Sequence, residues 1–176
     1  DGGHNYHLDW RNLLGVCHGG SQKDVPDAEW RFSESKGDRS CDVPKGGKEI
    51  TDRILNPLKL PGNIRLFRYT EHNGKMFVDE ETCPKELKWK AKNTIKELNL
   101  NAPRLMRMRK AVIDKLTDEV MQALAEGQDF DETLEWLAES FLLPDYKNRS
   151  IPFFTVIRWY LGEAAEKLIA ASGDKL

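Results

Sequence analysis

The stretch PKELKWKAKNTIKELNLNAPRLMRMRKAVIDKLTDEVMQALAEG, residues 84–127, decides the fold class. Its first half repeats apolar side chains at three- and four-residue intervals, at Leu87, Ala91, Ile95 and Leu98. This spacing predicts an amphipathic helix whose opposite face is rich in lysine. A longer helix is predicted from about Pro103 to Ala125, because proline is favoured in a first turn and Gly127 follows the last one.

Two more helices are predicted downstream. One spans about 131–142, and its N-cap is Asp129 or Asp131. The last spans about 152–171 with Ser150 as its cap, and it begins as PFFTVIRWYL, which is apolar nearly all round. We expect this last helix to be the most buried.

Upstream of residue 84 the pattern changes to that of strands. Residues 64–70 and 75–78 are β-prone runs that flank Asn73-Gly74. Asn-Gly between such runs is a strong hairpin signal. The predicted fold class is therefore α+β, mostly α, with one β-hairpin ahead of a four-helix portion.

The length and composition are those of a globular protein with one core, or with one core and a small appendage. The chain has 176 residues, 39% of them hydrophobic, and no apolar run approaches the length of about 18 that a transmembrane helix needs. It does not begin with methionine and shows no secretory leader, so we expect Asp1 to be a boundary inside a longer protein. Three cysteines at irregular spacings favour a reducing compartment, and a cytoplasmic location is expected.

The net charge of −2 conceals two segregated blocks. Residues 82–115 contain ten Lys or Arg and three acidic residues, whereas residues 116–145 contain nine acidic residues and no basic one. On the second predicted helix, Arg104, Arg107 and Lys110 share one stripe that nucleic-acid phosphates could occupy. Equally, these cations could pair with the acidic block on a neighbouring helix.

The first quarter of the chain carries an ordered set of residue types. The set comprises Gly2-Gly3, Asn12-Leu13, Cys17, Cys41-Asp42 and Lys45. Considered without the other residues of this set, Asn12 is best explained as the N-cap of a short helix that begins at Leu13. Cys17 and Cys41 are compatible with ordinary buried thiols, as is Cys83 just before Pro84.

The order of these residues resembles the second half of an HNH nuclease motif. The chain is most similar to the HNH endonucleases of retron- and Septu-type bacterial antiphage defence systems. The resemblance extends through LDWRNLLGVC, CDVPKG, FRYTEHNGK, IKELNLN and PFFTVIRWYL. It implies a ββα-metal region at residues 1–60, with an insertion at 18–40, and a hairpin plus four helices at 61–176.

The resemblance also implies catalytic roles. Asn12 would orient the general base, Asp42 would hold a catalytic Mg²⁺ or Mn²⁺, and Lys45 would contact a phosphate. Asp42 departs from the motif, which has a histidine there, although a carboxylate suits a hard cation at least as well. The general-base histidine itself would precede Asp1. The predicted nucleic-acid contacts are Lys45, Lys48, Arg104, Arg107 and Lys110.

A structural Zn²⁺ site is also implied. Cys17 and Cys41 would be the second pair of a Cys₄ site that pins the loops of this region, and the first pair would lie upstream. His18 is either a substitute ligand or an exposed neighbour. His4 and His7 fall after the expected base, so no catalytic role is assigned to them.

Two functions follow as hypotheses. The first is a metal-dependent HNH endonuclease that hydrolyses DNA or RNA, the effector of a defence complex with an ABC- or SMC-like ATPase and a retron reverse transcriptase as partners. The second is a non-catalytic, zinc-stapled helical adaptor that docks on a larger partner. The tryptophans are expected to be core or interface anchors rather than base-stacking platforms. These are Trp10, Trp30, Trp89, Trp136 and Trp159.

Overall fold

The computed structural model describes residues 18–24, 32–60, 64–144 and 151–173. Within these ranges the chain is rich in α-helix and contains a two-stranded antiparallel sheet, in agreement with the predicted α+β class. None of the helices in these ranges is both long enough and apolar enough to cross a bilayer.

The predicted hairpin is confirmed. Strand β1, Phe67–Tyr69, pairs with strand β2, Met76–Val78. Gly74 in the connecting turn has a φ of +68°, a left-handed conformation that glycine adopts without strain. A Cβ at residue 74 would lie 2.4 Å from the carbonyl oxygen of Met106, so the turn is pressed against the helix that contains Met106.

Six α-helices lie in the described ranges. They are α1, Asp42–Lys45; α2, Lys85–Glu97; α3, Pro103–Ala125; α4, Phe130–Leu142; α5, Phe154–Leu161; and α6, Glu163–Ser172. Helices α2, α3 and α4 confirm the predictions from spacing and punctuation. Asp129 is the N-cap of α4, and its side chain accepts hydrogen bonds from the backbone N–H groups of Asp131 and Glu132.

The prediction of one continuous last helix was wrong. The chain breaks at Gly162, whose φ of 55° and ψ of −121° are not helical, and α6 begins at the next residue. The apolar pattern continues across the break, which is why periodicity alone did not reveal it. The start also differs, because Phe153 occupies the N-cap position of α5 with a φ of 63°. Ser150 lies outside the described residues.

The larger core forms where α3, α4, α5 and α6 meet. Its buried members are Leu116, Val120, Leu137, Ala138, Leu142, Ile157, Leu161 and Ala165. Burying a leucine or isoleucine side chain stabilises a fold by about 1.5–3 kcal/mol. This cluster therefore fixes the packing of α3, α4, α5 and α6 against one another.

Two smaller core clusters join the hairpin to the helices. The hydroxyl of Tyr69 lies 2.8 Å from Thr155 Oγ1, and its ring meets the edge of Trp159 at 5.6 Å between centroids. Cys83 is buried against α2, as predicted, and burial raises the pKa of its thiol. The hairpin is thus fastened to α2 on one side and to α5 on the other.

Asp79 stabilises the chain that follows β2 through contacts with Arg65, Glu81 and Thr82. Burial alone would raise the pKa of its carboxyl, but the backbone N–H groups of Glu81 and Thr82 and the guanidinium of Arg65 hold that pKa below its ordinary value. Arg65 Nε lies 3.2 Å from Asp79 Oδ2. The charged form of this carboxylate is therefore part of the folded structure.

The tryptophans divide between core and surface. Trp159 is half-buried against Tyr69, as expected of a core anchor. Trp89 and Trp136 are 59% and 56% exposed, so neither is a core residue. Trp10 and Trp30 lie outside the described residues.

Candidate functional site

The segment predicted to carry the catalytic chemistry contains the single helical turn α1. Asp42 begins this turn and Lys45 ends it. Cys41 precedes it with a φ of 64°, in the left-handed region that reverses the chain direction. The backbone N–H of Cys41 donates to the carbonyl of Leu98 at 2.9 Å. The segment is therefore attached to the corner between α2 and α3.

The two ends of the predicted insertion at 18–40 meet. The N–H of Ser40 donates to the carbonyl of Gly19 at 3.0 Å, and the N–H of Ser33 donates to the carbonyl of Gly20 at 2.9 Å. Gly19 has a φ of +58°, and a Cβ there would lie 2.2 Å from the Ser40 carbonyl oxygen and 2.7 Å from Val43 Cγ2. The residues that follow Cys17 in sequence thus contact those that flank Cys41. Cys17 itself lies outside the described residues, as does Asn12.

Arg104 is attached to this segment by two hydrogen bonds. Its Nη2 donates to Ser40 Oγ at 2.7 Å, and its backbone N–H donates to Asp38 Oδ1 at 2.7 Å. Arg104 is 4% exposed and Ser40 is fully buried. A guanidinium covered to this extent does not offer its charge to a phosphate. The geometry therefore gives Arg104 a positioning role instead of the phosphate contact that the sequence predicted.

Asn99 holds the same loop from the α2–α3 corner. Its backbone is left-handed, with a φ of 45°, which asparagine tolerates better than most residues. Its Nδ2 donates to the carbonyls of Gly37 and Arg39, each at 2.8 Å. Together with Arg104, this amide fixes the backbone that leads into Cys41.

The remaining predicted cations lie near the surface. Arg107 is 70% exposed and lies 3.7 Å from Asp38 Oδ2, while Lys110 pairs with Asp114 one turn along α3. Lys45 is half-buried and Lys48 is exposed. The partners of Arg107 and Lys110 both precede the acidic block at 116–145. In the part of the chain that the structure describes, neither Arg107 nor Lys110 pairs with that block.

Arg109 has a structural function that the sequence did not reveal. It is 4% exposed, and its Nη2 donates to the carbonyl of Leu100 at 2.7 Å. Its guanidinium also lies 5.6 Å from the centre of the Tyr69 ring, and burial lowers its pKa. The sequence signal for this role was weak. Arg109 lies four residues before Ile113, so the two side chains are on the same face of α3.

The described residues alone do not assemble a metal centre, since they contain no group of three or more His, Cys, Asp or Glu side chains in metal-binding proximity. The side chain of Asp42 lies outside the described part of the structure, but the residue types at 41 and 42 suit the two expected metals. A thiolate suits Zn²⁺ and a carboxylate suits Mg²⁺ or Mn²⁺. His18 is exposed. A complete site needs donors from outside the described residues, such as Cys17.

Comparison with known proteins finds a similarity to a protein named as an HNH endonuclease. The chain is 32% identical over 130 residues to an Escherichia coli protein named "Retron Ec83 putative HNH endonuclease". The alignment covers 64% of this chain and 48% of that protein, so the chain spans about half the length of its relative. No family model and no solved structure matches the chain. The similarity supports a family relationship to HNH endonucleases.

Proposed function

We propose that this chain is part of a metal-dependent HNH endonuclease that hydrolyses phosphodiester bonds of DNA or RNA. One observation carries the proposal: the hydrogen bond from Ser40 to Gly19 brings together the sequence neighbours of Cys17 and Cys41 across the loop that separates them. Two thiols with such converging neighbours are suited to one structural zinc. The similarity to a protein named as an HNH endonuclease supports the same function.

Each residue of the proposed site has a separate task. Asp42 is a ligand for Mg²⁺ or Mn²⁺, which when bound would stabilise charge on the scissile phosphate. Lys45 contacts a phosphate as a point charge, and the amide of Asn12 orients the base. Cys17 and Cys41 are ligands of a structural Zn²⁺. Lys48, Arg107 and Lys110 complete the phosphate-contacting surface.

The proposed partners follow from the resemblance to defence nucleases and from the retron after which the Escherichia coli relative is named. We place the nuclease in an antiphage defence complex with an ABC- or SMC-like ATPase, together with a retron reverse transcriptase. Co-purification of the three proteins expressed from one operon tests this assignment. A nuclease that elutes alone from such an expression contradicts it.

Cleavage by the full-length gene product tests the catalytic assignment. Asn12→Ala and Asp42→Ala are each expected to abolish cleavage of DNA or RNA in Mg²⁺ or Mn²⁺ without changing the circular dichroism spectrum. Asp52→Ala is the matched control, because it removes the same charge from an exposed position. Wild-type turnover by the Asp42→Ala protein would remove Asp42 from the site.

Metal analysis tests the zinc assignment separately. Cys41→Ser is expected to lose one equivalent of zinc and to unfold the first third of the chain, because a structural zinc contributes folding free energy directly. Cys83→Ser, at a buried thiol packed against α2, is the control and retains zinc. A wild-type protein without zinc contradicts the assignment.

A second candidate function is supported by the acidic block. Trp136 is 56% exposed and borders a groove with Glu119, Gln122 and Glu126. An exposed tryptophan among carboxylates is suited to docking on a basic partner. An adaptor of this kind would not cleave nucleic acid with any divalent metal. The endonuclease is expected to cleave either by itself or after its partner ATPase is added.

A further inference from the structure

A second basic surface is lined by residues outside the segment around Asp42. It is a groove of about 300 Å³ between the hairpin and α2. The hairpin contributes Arg68, Lys75 and Phe77, and α2 contributes Lys92 and Lys96. We call it the hairpin groove. None of these residues was among the predicted nucleic-acid contacts.

The charge of the hairpin groove is strongly unbalanced. Its one acidic side chain is Glu80, whose carboxylate lies 2.8 Å from Lys88 Nζ and 3.3 Å from Lys92 Nζ. Arg68, Lys75 and Lys96 are exposed and form no ion pair with any residue in the described ranges. Three uncompensated cations along one groove favour a polyanion as its occupant.

An aromatic ring lies among these cations. Tyr69, Met76 and Val78 of the hairpin are buried, but Phe77 points away from the core opposite Arg68 and is 37% exposed. Lys75 Nζ lies 5.2 Å from the centre of its ring. Exposure of the Phe77 ring to water is not stabilising. In proteins that bind single strands, unpaired bases stack on such aromatic rings while neighbouring cations contact the phosphates.

We propose that the hairpin groove binds a single-stranded segment of nucleic acid, with its phosphates on Arg68, Lys75 and Lys96 and a base stacked on Phe77. The strand is single because a base in a duplex has no free face to offer the ring. This inference rests on the proposed nuclease function and deepens it by naming the form of nucleic acid that the protein holds. Binding in the hairpin groove requires no catalytic residue. An experiment can therefore refute the binding proposal without refuting cleavage, and the reverse.

Fluorescence anisotropy with the full-length protein in EDTA tests the proposal. The probe is an oligo(dT) of about 16 nucleotides, at the upper end of typical site sizes for single-strand grooves, and a duplex of equal length serves for comparison. Arg68→Gln/Lys75→Gln/Lys96→Gln is expected to weaken oligo(dT) binding at least about tenfold. It should also reduce the salt slope by about 2, since each phosphate contact contributes about 0.7.

Two matched controls isolate the groove. Lys59→Gln/Lys85→Gln/Lys115→Gln removes the same charge from exposed positions outside the groove and should bind almost as the wild type does. Phe77→Leu keeps an apolar side chain without the ring and should weaken binding roughly 5- to 150-fold. Phe130→Leu, at a ring that is 50% exposed on α4, should change nothing.

Several outcomes overturn the proposal. They are equal losses in the two triple variants, wild-type affinity of Phe77→Leu, or equal affinity of the wild type for duplex and single strand. Self-association that the groove triple abolishes while oligo(dT) affinity is unchanged would instead assign the groove to the acidic face of a second copy. A wild-type protein that binds oligo(dT) but cleaves neither DNA nor RNA in Mg²⁺ or Mn²⁺ refutes the nuclease and leaves the groove proposal standing.

Discussion

Gly19→Ala is the substitution that most directly tests the meeting of the two ends of the insertion. Gly19 has a φ of +58°, and its Cα faces the backbone of Ser40. A Cβ would lie 2.2 Å from the Ser40 carbonyl oxygen, and no side-chain rotation can relieve contact with a backbone atom. The substitution must therefore separate the two strands of chain or distort both.

Gly46→Ala supplies the matched control. Gly46 has a nearly identical φ of +54°, but no atom lies within 4 Å of a Cβ placed there. Left-handed backbone costs an alanine about 1–2 kcal/mol at either position. Gly19→Ala adds the cost of forcing extra volume into a packed contact, about 1–3 kcal/mol. The difference between the two variants isolates the close approach from the backbone strain.

Two measurements report this difference. In urea unfolding, an m-value of about 2 kcal/mol/M converts the extra 1–3 kcal/mol into a midpoint about 0.5–1.5 M lower for Gly19→Ala than for Gly46→Ala. If residues 18–45 open locally instead, the amide hydrogen of Ser40 should exchange about 5- to 150-fold faster in Gly19→Ala. Zinc content and cleavage should fall in Gly19→Ala and persist in Gly46→Ala.

Equal behaviour of the two variants would refute the reasoning. If both have the same urea midpoint, the same exchange rate at Ser40 and the same zinc content, the segments around Gly19 and Ser40 do not contact each other in solution. The main structural support for a shared metal site at Cys17 and Cys41 would then be lost.

Three further predictions concern the scaffold. Because the folded pKa of Asp79 is lowered, its stabilisation is present above the ordinary pKa of about 3.9 and is lost as pH falls through the folded pKa. Urea midpoints of Asp79→Asn should thus vary less than wild type between about pH 5 and 2, and parallel curves would contradict this. Gly162→Ala should cost about 1–3 kcal/mol of unfolding free energy in urea, since the break between α5 and α6 needs a positive φ; an unchanged midpoint would show that alanine fits. Arg109→Met should cost about 1.5–3 kcal/mol by the same assay, because it leaves the half-buried Leu100 carbonyl without its charged donor, and a neutral result would show that this carbonyl finds another partner.

Local signals made much of the scaffold predictable. Asn73-Gly74 set the hairpin turn, Pro103 and Gly127 bounded α3, and Asp129 capped α4. Each of these effects acts within a few residues, so no knowledge of the rest of the fold was needed. The break at Gly162 escaped because an apolar pattern continues through it and a lone glycine is tolerated in many helices.

The cations show why the candidate site was harder to predict. Arg104 and Arg107 lie one turn apart on α3, yet the first is 4% exposed and the side chain of the second is 70% exposed. The hydrogen-bond partner of Arg104 is Ser40, 64 residues earlier in the chain. Spacing along a helix identifies a shared stripe, but it does not reveal which part of that stripe another segment covers.

The sequence by itself therefore determined the hairpin, the helices α2 to α4 and the residue types near the first cysteines, because propensity, capping and turn chemistry are local. Only the tertiary structure decided which cations hold the Cys41 segment and which are exposed to solvent. It also placed Phe77 among three cations of the hairpin groove that have no ion-pair partner in the described ranges. Those outcomes depend on contacts between residues that are distant in sequence, such as Ser40 with Arg104 and the hairpin with α2. Such contacts leave no periodic trace in the chain.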